Sequence, residues 1–206
     1  MNLHPRIVLS ALLAQHPTSL GLVHAGLDYA IQEACSMWVG KRPPRDVHPN
    51  VFAGDVRQAL LCFLDCPEFK EAGLRSEPGS NCSVVLSDRD GGQVTVRKHP
   101  RDYSTGRYLN SAEYPAMTLW GVDYSTWSWQ PYILWVPDLK MQALDRASLA
   151  AVHAIDDPNE TVIYDQFSLP PAIISAGATS APGDTSEEED WSDEFGQEGA
   201  GSDDSA

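Results

Sequence analysis

Apolar positions at helical spacing occupy the first third of the chain. They predict a short helix within residues 1–16, and Thr18 or Ser19 can cap a second helix that the string GKRPP ends. A third helix is predicted from about Asn50 to Leu64. The N-terminal part of the chain therefore predicts a group of helices.

The period of the pattern changes to two beyond residue 80. Runs rich in β-branched residues flank the string DRDGG, and Asp-Gly between such runs is a hairpin signal because glycine supplies the positive φ of a tight turn. Alternation places Val84 and Leu86 on one face of the first strand. Val94 and Val96 lie on one face of its partner.

Further strands follow the hairpin. Residues 117–139 predict two strands around a Ser/Thr-rich turn, and residues 147–156 and 160–169 predict a last pair joined at the turn string DDPN. Helices followed by strands favour the α+β class, with N-terminal helices and then an antiparallel sheet of hairpins. We expect one globular domain over residues 1–169.

Charge separates the end of the chain from this domain. The 206 residues carry a net charge of −15, and the segment from Asp184 onwards contributes ten acidic residues and no lysine or arginine. The body before it therefore carries only −5. Residues 170–183 are rich in Pro, Ala and Ser and predict a linker, and residues 184–206 predict a disordered acidic tail.

The N-terminal apolar run is short, and no run of 18 apolar residues occurs. We therefore expect no membrane contact, and a cytoplasmic protein with reduced thiols.

A basic segment interrupts the acidic body. It consists of Arg97, Lys98, His99, Arg101 and Arg107. Three interpretations are open: a solvated strand edge that blocks aggregation, a dock for a protein partner or the acidic tail, or a catalytic cluster. In the catalytic version His99, Arg101 and Arg107 would supply the base and the cations of a metal-independent ribonuclease. The same cations could also contact the phosphates of a nucleic acid.

Aromatic residues give two further candidate binding features. Trp127 and Trp129 alternate along a predicted strand, which is typical of cross-strand packing, of a base-stacking platform or of a protein interface. Trp191 and Phe195 are four residues apart within the acidic tail and would share one face if the tail became helical on binding.

Motifs for catalysis or metal binding are missing from the sequence. It contains no G-x-S-x-G, no H-E-x-x-H and no phosphate-binding G-x-x-x-x-G-K-[ST] string. Cys62 and Cys66 are four apart on a predicted helix and could share a face, but zinc needs two more ligands and no spacing supplies them. We therefore predict no metal and no cofactor, and treat His153 as a core residue.

Three stretches in order carry a resemblance: NVFAGDVRQALLCFL, VTVRKHPRDYSTGRYLNSAEYP and LWGVDYSTWSWQPYILWVPDL. They resemble small bacterial proteins encoded beside helix-turn-helix regulators with an ImmA/IrrE-type peptidase domain. The resemblance covers about residues 45–165 and depends on element order and on Asp55, Arg97, Lys98, Thr105 and Pro115. It implies a toxin–antitoxin-like or phage-related regulatory module, and it transfers no catalytic residue.

Together these observations predict a non-enzymatic interaction component of a bacterial or mobile-element regulatory or defence module. Its protein partner would contact Arg97, Lys98, Arg101, Arg107, Trp127, Trp129, Trp191 and Phe195. The alternative is a toxin-like ribonuclease or a nucleic-acid-binding protein that uses residues 97–107.

Overall fold

The structure is a computed structural model that describes residues 4–41, 43–101, 107–109, 128–157 and 160–171. All of them belong to the unit Met1–Ile173. The predicted acidic tail and most of the predicted linker lie outside the described residues, as does the predicted strand that begins near residue 117.

Helices come first in the chain, and their bounds are α1 Pro5–Gln15, α2 Pro17–Ser36, α3 Pro49–Leu64 and α4 Pro67–Glu71, with a 3-10 turn at Pro44–Asp46. Six strands follow: β1 Arg75–Pro78, β2 Val84–Ser87, β3 Gln93–Lys98, β4 Gln130–Pro137, β5 Leu144–His153 and β6 Val162–Ser168. The three longer helices agree with the sequence prediction, except that α2 begins one residue before Thr18 and has His16, not Thr18 or Ser19, at its N-cap. Neither α4 nor β1 was predicted.

The three longer helices all begin at a His-Pro pair, in which the proline fixes a helical φ where no intrahelical N–H partner is needed. In two of them the histidine is also the cap. Nδ1 of His4 accepts the backbone N–H of Arg6 at 3.1 Å, and Nδ1 of His48 accepts that of Asn50 at 3.3 Å. The side chain of His16, at the start of α2, makes no such bond.

The strands form a single sheet in the order β1-β2-β3-β4-β5-β6. The predicted hairpin is confirmed, because Val84 pairs with Val96 and Leu86 with Val94. The α+β class is confirmed too, but the sheet is mixed rather than antiparallel throughout, since β3 and β4 pair in parallel. A hairpin joins antiparallel strands, whereas two neighbouring parallel strands need a crossover connection that leads the chain back to the end where the first strand began. β3 and β4 therefore cannot form one hairpin.

Alternation along the strands divides the core between the two faces of the sheet. The face that packs against the helices, here called the helix-covered face, carries Val96, Ile133, Trp135 and Leu149. The opposite face carries a smaller apolar cluster of Leu134, Ala150, Val152, Ile155 and Ile163, against which Leu109 and Tyr132 pack. The central strands are therefore buried on both sides.

Candidate functional site

Three cations meet at one end of the sheet and are here called the cationic cluster: Lys98, Arg101 and Arg146. Lys98 ends β3 and pairs with Trp135 of β4, and Arg146 near the start of β5 pairs with Val136. Since β3 and β4 are parallel and β5 is antiparallel to both, the last residues of β3 and β4 and the first residues of β5 lie at the same end of the sheet. The parallel pairing therefore brings Arg146 to the basic segment.

Tyr108 holds the two arginines of the cluster. Nη2 of Arg101 donates a hydrogen bond to the Tyr108 hydroxyl at 2.8 Å, and its Cζ lies 4.5 Å from the centroid of the Tyr108 ring. Cζ of Arg146 lies 5.9 Å from the same centroid. Both distances suit cation–π attraction, which fixes the guanidinium groups without neutralising their charge.

Lys98 lies beside the indole of Trp135, with 5.9 Å between Nζ and the ring centroid. Burial, and secondly the charge of Arg101, lower the pKa of Lys98 from 10.5 to about 8. Lys98 is therefore still mainly protonated at neutral pH, but its charge is held at a cost in free energy.

Ion pairs within the part of the chain that the structure describes include Arg6–Asp165, Lys70–Asp65 and Arg97–Asp156. None of them includes a member of the cationic cluster. Among the described residues the cluster is thus a local excess of positive charge, set in a protein whose net charge is −15. Such an arrangement favours the binding of an anionic group.

His99 lies beside Tyr108 and is only 3% exposed. Its Nδ1 donates to the carbonyl of Pro100 at 3.0 Å, and its ring packs edge-on against Tyr108 with 5.6 Å between centroids. Its Nε2 is buried and has no hydrogen-bond partner in the described structure. Burial above all lowers the pKa of His99. The hydrogen bond to Pro100 opposes this in part, and weaker effects of Arg146, which lowers the pKa, and Gln166, which raises it, follow. The imidazole is therefore neutral at pH 7.

The other candidates from the sequence lie in different places. Arg97 projects from the face opposite the helices and pairs with Asp156 at 2.5 Å. Arg107 is exposed at the start of the short segment 107–109. Trp129 is half-buried and packs against the helix-covered core, as expected for structural packing. Trp127, Trp191 and Phe195 lie outside the described residues.

Arg146 is the member of the cluster that the sequence did not indicate. It lies near the start of β5, before the apolar part of that strand. Its position in the sequence alone therefore predicts only a solvated strand end. The antiparallel pairing of β4 with β5 places it opposite Val136. The parallel pairing of β3 with β4, which no local signal encodes, was needed to place it near Arg101.

The cysteines do not form a metal site in the described structure. The predicted sharing of one helix by Cys62 and Cys66 is wrong, because α3 ends at Leu64 and Cys66 is the N-cap of α4. All four cysteines are free thiols. Among the described residues, no group of three or more His, Cys, Asp or Glu side chains could hold a metal ion.

His153 is not fully enclosed in the core. Its Nδ1 donates to the carbonyl of Ser128 at 2.6 Å, so the ring ties β5 to the segment that enters β4. This contact gives His153 a structural role.

None of the helices in the described ranges combines the length and apolarity needed to cross a bilayer. Comparison with protein-family models, with curated proteins and with solved structures gave no significant match.

Proposed function

We propose that this chain is a non-enzymatic interaction protein that binds an acidic segment of a protein partner through the cationic cluster. The observation that carries the proposal is the grouping of Lys98, Arg101 and Arg146 with no carboxylate paired to any of them in the described structure. An acidic partner would supply the missing charges. It would also return Lys98 towards its ordinary pKa, which adds favourable free energy to binding.

The setting of the cluster favours a protein partner over a nucleic acid. Three cations can contact about three phosphates, which is a small number for a nucleic-acid site. The body of the protein is itself acidic, so a long polyanion would be repelled beyond the cluster. A short acidic stretch of a polypeptide matches the size of the cluster without that repulsion.

Ribonuclease activity has less support. A general base must come within hydrogen-bond reach of its substrate. His99 is 3% exposed and its Nε2 is buried, so the imidazole could reach a substrate only after the residues around it, Tyr108 among them, moved aside. The proposal places this interaction in a bacterial or mobile-element regulatory or defence module, which rests on the resemblance described above.

Charge-neutral variants of the full-length chain test the proposal. The triple variant Lys98→Gln, Arg101→Gln and Arg146→Gln is compared with a control, Lys140→Gln, Arg75→Gln and Arg89→Gln, which removes the same residue types at exposed positions elsewhere. The probes are a labelled oligoglutamate peptide and a labelled single-stranded RNA of equal charge, measured by fluorescence anisotropy at low and moderate salt.

We expect the cluster variant to bind oligoglutamate about tenfold more weakly than wild type, since three partly exposed pairs at about 0.5 kcal/mol each are removed. The control should bind like wild type. Equal binding by the cluster variant would overturn the proposal, and tighter binding of the RNA than of oligoglutamate would favour the nucleic-acid alternative.

Purification of the tagged chain from its host then identifies the natural partner. A stoichiometric protein that is retained by wild type and by the control but lost from the cluster variant would name the partner.

A further inference from the structure

A cavity of about 270 Å³ lies between the first two helices and the helix-covered face of the sheet. Its interior is formed by aliphatic side chains, among them Leu12, Leu20, Val23, Leu86, Ile133 and Leu149. An apolar cavity of about 150 Å³ is large enough for benzene. This one has nearly twice that volume, which suits an eight-carbon chain or a two-ring aromatic group.

Polar groups gather on two segments that line the cavity. His16 and Ser19 come from the junction of α1 and α2, and Ser87, Asp88 and Gln93 come from the ends of β2 and β3 around their turn. Apolar walls with a few polar groups are typical of sites for small molecules. The distribution suits an amphiphile with one apolar body and one polar head.

His16 is free for such a head group because of its place in the chain. It is at once the C-cap of α1, where its backbone N–H donates to Leu12, and the N-cap of α2. Its backbone φ of −125° differs from the −56° and −55° of His4 and His48, whose imidazoles cap their helices. The imidazole of His16 makes no capping bond, and His16 is one of the residues that line the cavity.

Asp88 gives the lining a negative charge. Its Oδ1 accepts the backbone N–H groups of Asp90 at 2.9 Å and Gly92 at 2.7 Å, which fixes the carboxylate in the turn. None of the ion pairs in the described structure neutralises it. A carboxylate head group would therefore be repelled, and an ammonium group would be attracted.

We propose that this cavity binds a small amphiphilic amine, with an alkyl or aryl body among the aliphatic side chains and a protonated amine near Asp88 and His16. The site is separate from the cationic cluster in both position and charge. It selects a cation, whereas the cluster selects an anion, so failure of one proposal leaves the other standing.

Three ligands with the same alkyl chain test the head-group preference: octylamine, octanol and octanoate, titrated into the full-length chain by calorimetry. We expect octylamine to bind about tenfold more tightly than octanol, and octanoate to bind most weakly. Asp88→Asn keeps an oxygen acceptor for the turn and removes the charge, so it should abolish the preference of amine over alcohol. Octanoate binding as tightly as octylamine, or a preference unchanged in Asp88→Asn, would overturn the proposed selectivity.

Filling the cavity tests the location. Val94→Phe adds volume at a lining position on β3 and should abolish binding of octylamine and octanol. Val51→Phe makes the same change at a position on α3 that is 47% exposed and should leave binding unchanged. If Val94→Phe does not fold, Val8→Phe on α1 fills the same cavity from the other side. No binding by wild type, or full binding by a folded cavity-filled variant, would overturn the proposal.

Discussion

The two faces of the sheet have different neighbours, although the same strands form both. On the helix-covered face, Val96, Ile133 and Leu149 pack against helices and leave an apolar cavity. On the opposite face, the centre is apolar around Leu134, and the end is polar, with His99 and Arg146 close to Tyr108. Both faces are thus apolar at the centre of the sheet, and they differ towards its end.

The difference between the centre of the sheet and its end shows that charged side chains are accommodated at the end. Cations that are partly removed from water keep their charge only at a cost, and the lowered pKa of Lys98 is the sign of that cost. At this end of the sheet Lys98 lies beside Trp135, whereas the exposed Arg101 and Arg146 lie against Tyr108. Away from that end, the core of the helix-covered face is apolar.

The largest effect that we expect tests whether the opposite face has a true core of its own. Leu134 and Leu149 are both 0% exposed but belong to opposite faces. Leu134→Ala and Leu149→Ala should each lower the free energy of unfolding by about 2–5 kcal/mol, measured by urea denaturation. A loss below about 1 kcal/mol for Leu134→Ala alone would mean that the smaller cluster does not contribute as a core.

A smaller effect of opposite sign is expected at the cationic cluster. Lys98→Met keeps the apolar stem beside Trp135 and removes the charge, so it should stabilise the fold at pH 7 by about 1–2 kcal/mol. The full shift of the pKa of Lys98 would imply more, but the ammonium group keeps part of its hydration.

The pH dependence of Lys98→Met identifies the cause. A lowered lysine pKa destabilises the folded state fully below pH 8, and this penalty disappears between pH 8 and 10.5 as the proton is lost. The difference between variant and wild type should therefore shrink over that range. Lys140→Met, at an exposed position, should show no such change, and a pH-independent gain for Lys98→Met would contradict the explanation.

Sequence patterns predicted those parts of the fold that depend on neighbours in the chain. The Asp-Gly turn fixed the pairing of Val84 with Val96, and the DDPN turn correctly joined β5 to β6. Strand β1, with the sequence RSEP, was missed because it has no β-branched residue and is a strand only through its pairing with β2.

The candidate site was predicted only in part, because it also depends on the pairing of strands that are distant in the chain. An unusual local density of basic residues made Lys98, His99 and Arg101 visible in the sequence. Arg146 reaches them through one antiparallel and one parallel strand pairing, and the parallel pairing joins residues that are distant in the chain. Burial of His99 was also invisible, because it depends on the residues that cover the sheet end.

His99 should affect the stability of the fold only in acid. The folded pKa of His99 lies below its ordinary value of 6.5, chiefly because the ring is buried. The unfolded state therefore binds more protons below pH 6.5, and stability should fall as the pH is lowered from that value.

His99→Gln should make the free energy of unfolding less dependent on pH below 6.5, as followed by thermal denaturation at a series of pH values. His153→Gln serves as the control, because it replaces a less buried histidine on β5. Equal pH dependence in wild type and His99→Gln would show that another group controls acid stability.

The smallest effect is expected at the ion pair of Arg97 with Asp156, on the same face as His99. Asp156 is 63% exposed as a side chain, so the pair is screened by water although its hydrogen bond from Arg97 lowers the pKa of the Asp156 carboxyl below 3.8. Asp156→Asn should lower the free energy of unfolding by less than about 1 kcal/mol at pH 7. The stability that the pair provides is present above pH 3.8 and is lost as the pH falls below that value.

This last variant also tests the contrast between Arg97, which has a carboxylate partner, and the cationic cluster, which has none among the described residues. If the cationic cluster binds acidic ligands because its charges lack partners, releasing Arg97 from Asp156 should add one more unpaired cation to the sheet and lower the net negative charge of the protein by one. Asp156→Asn should then bind oligoglutamate slightly more tightly, by about twofold, in the same anisotropy assay. Weaker binding would mean that Asp156 positions the site rather than neutralising a neighbouring charge, and the role of Arg97 would have to be reassigned.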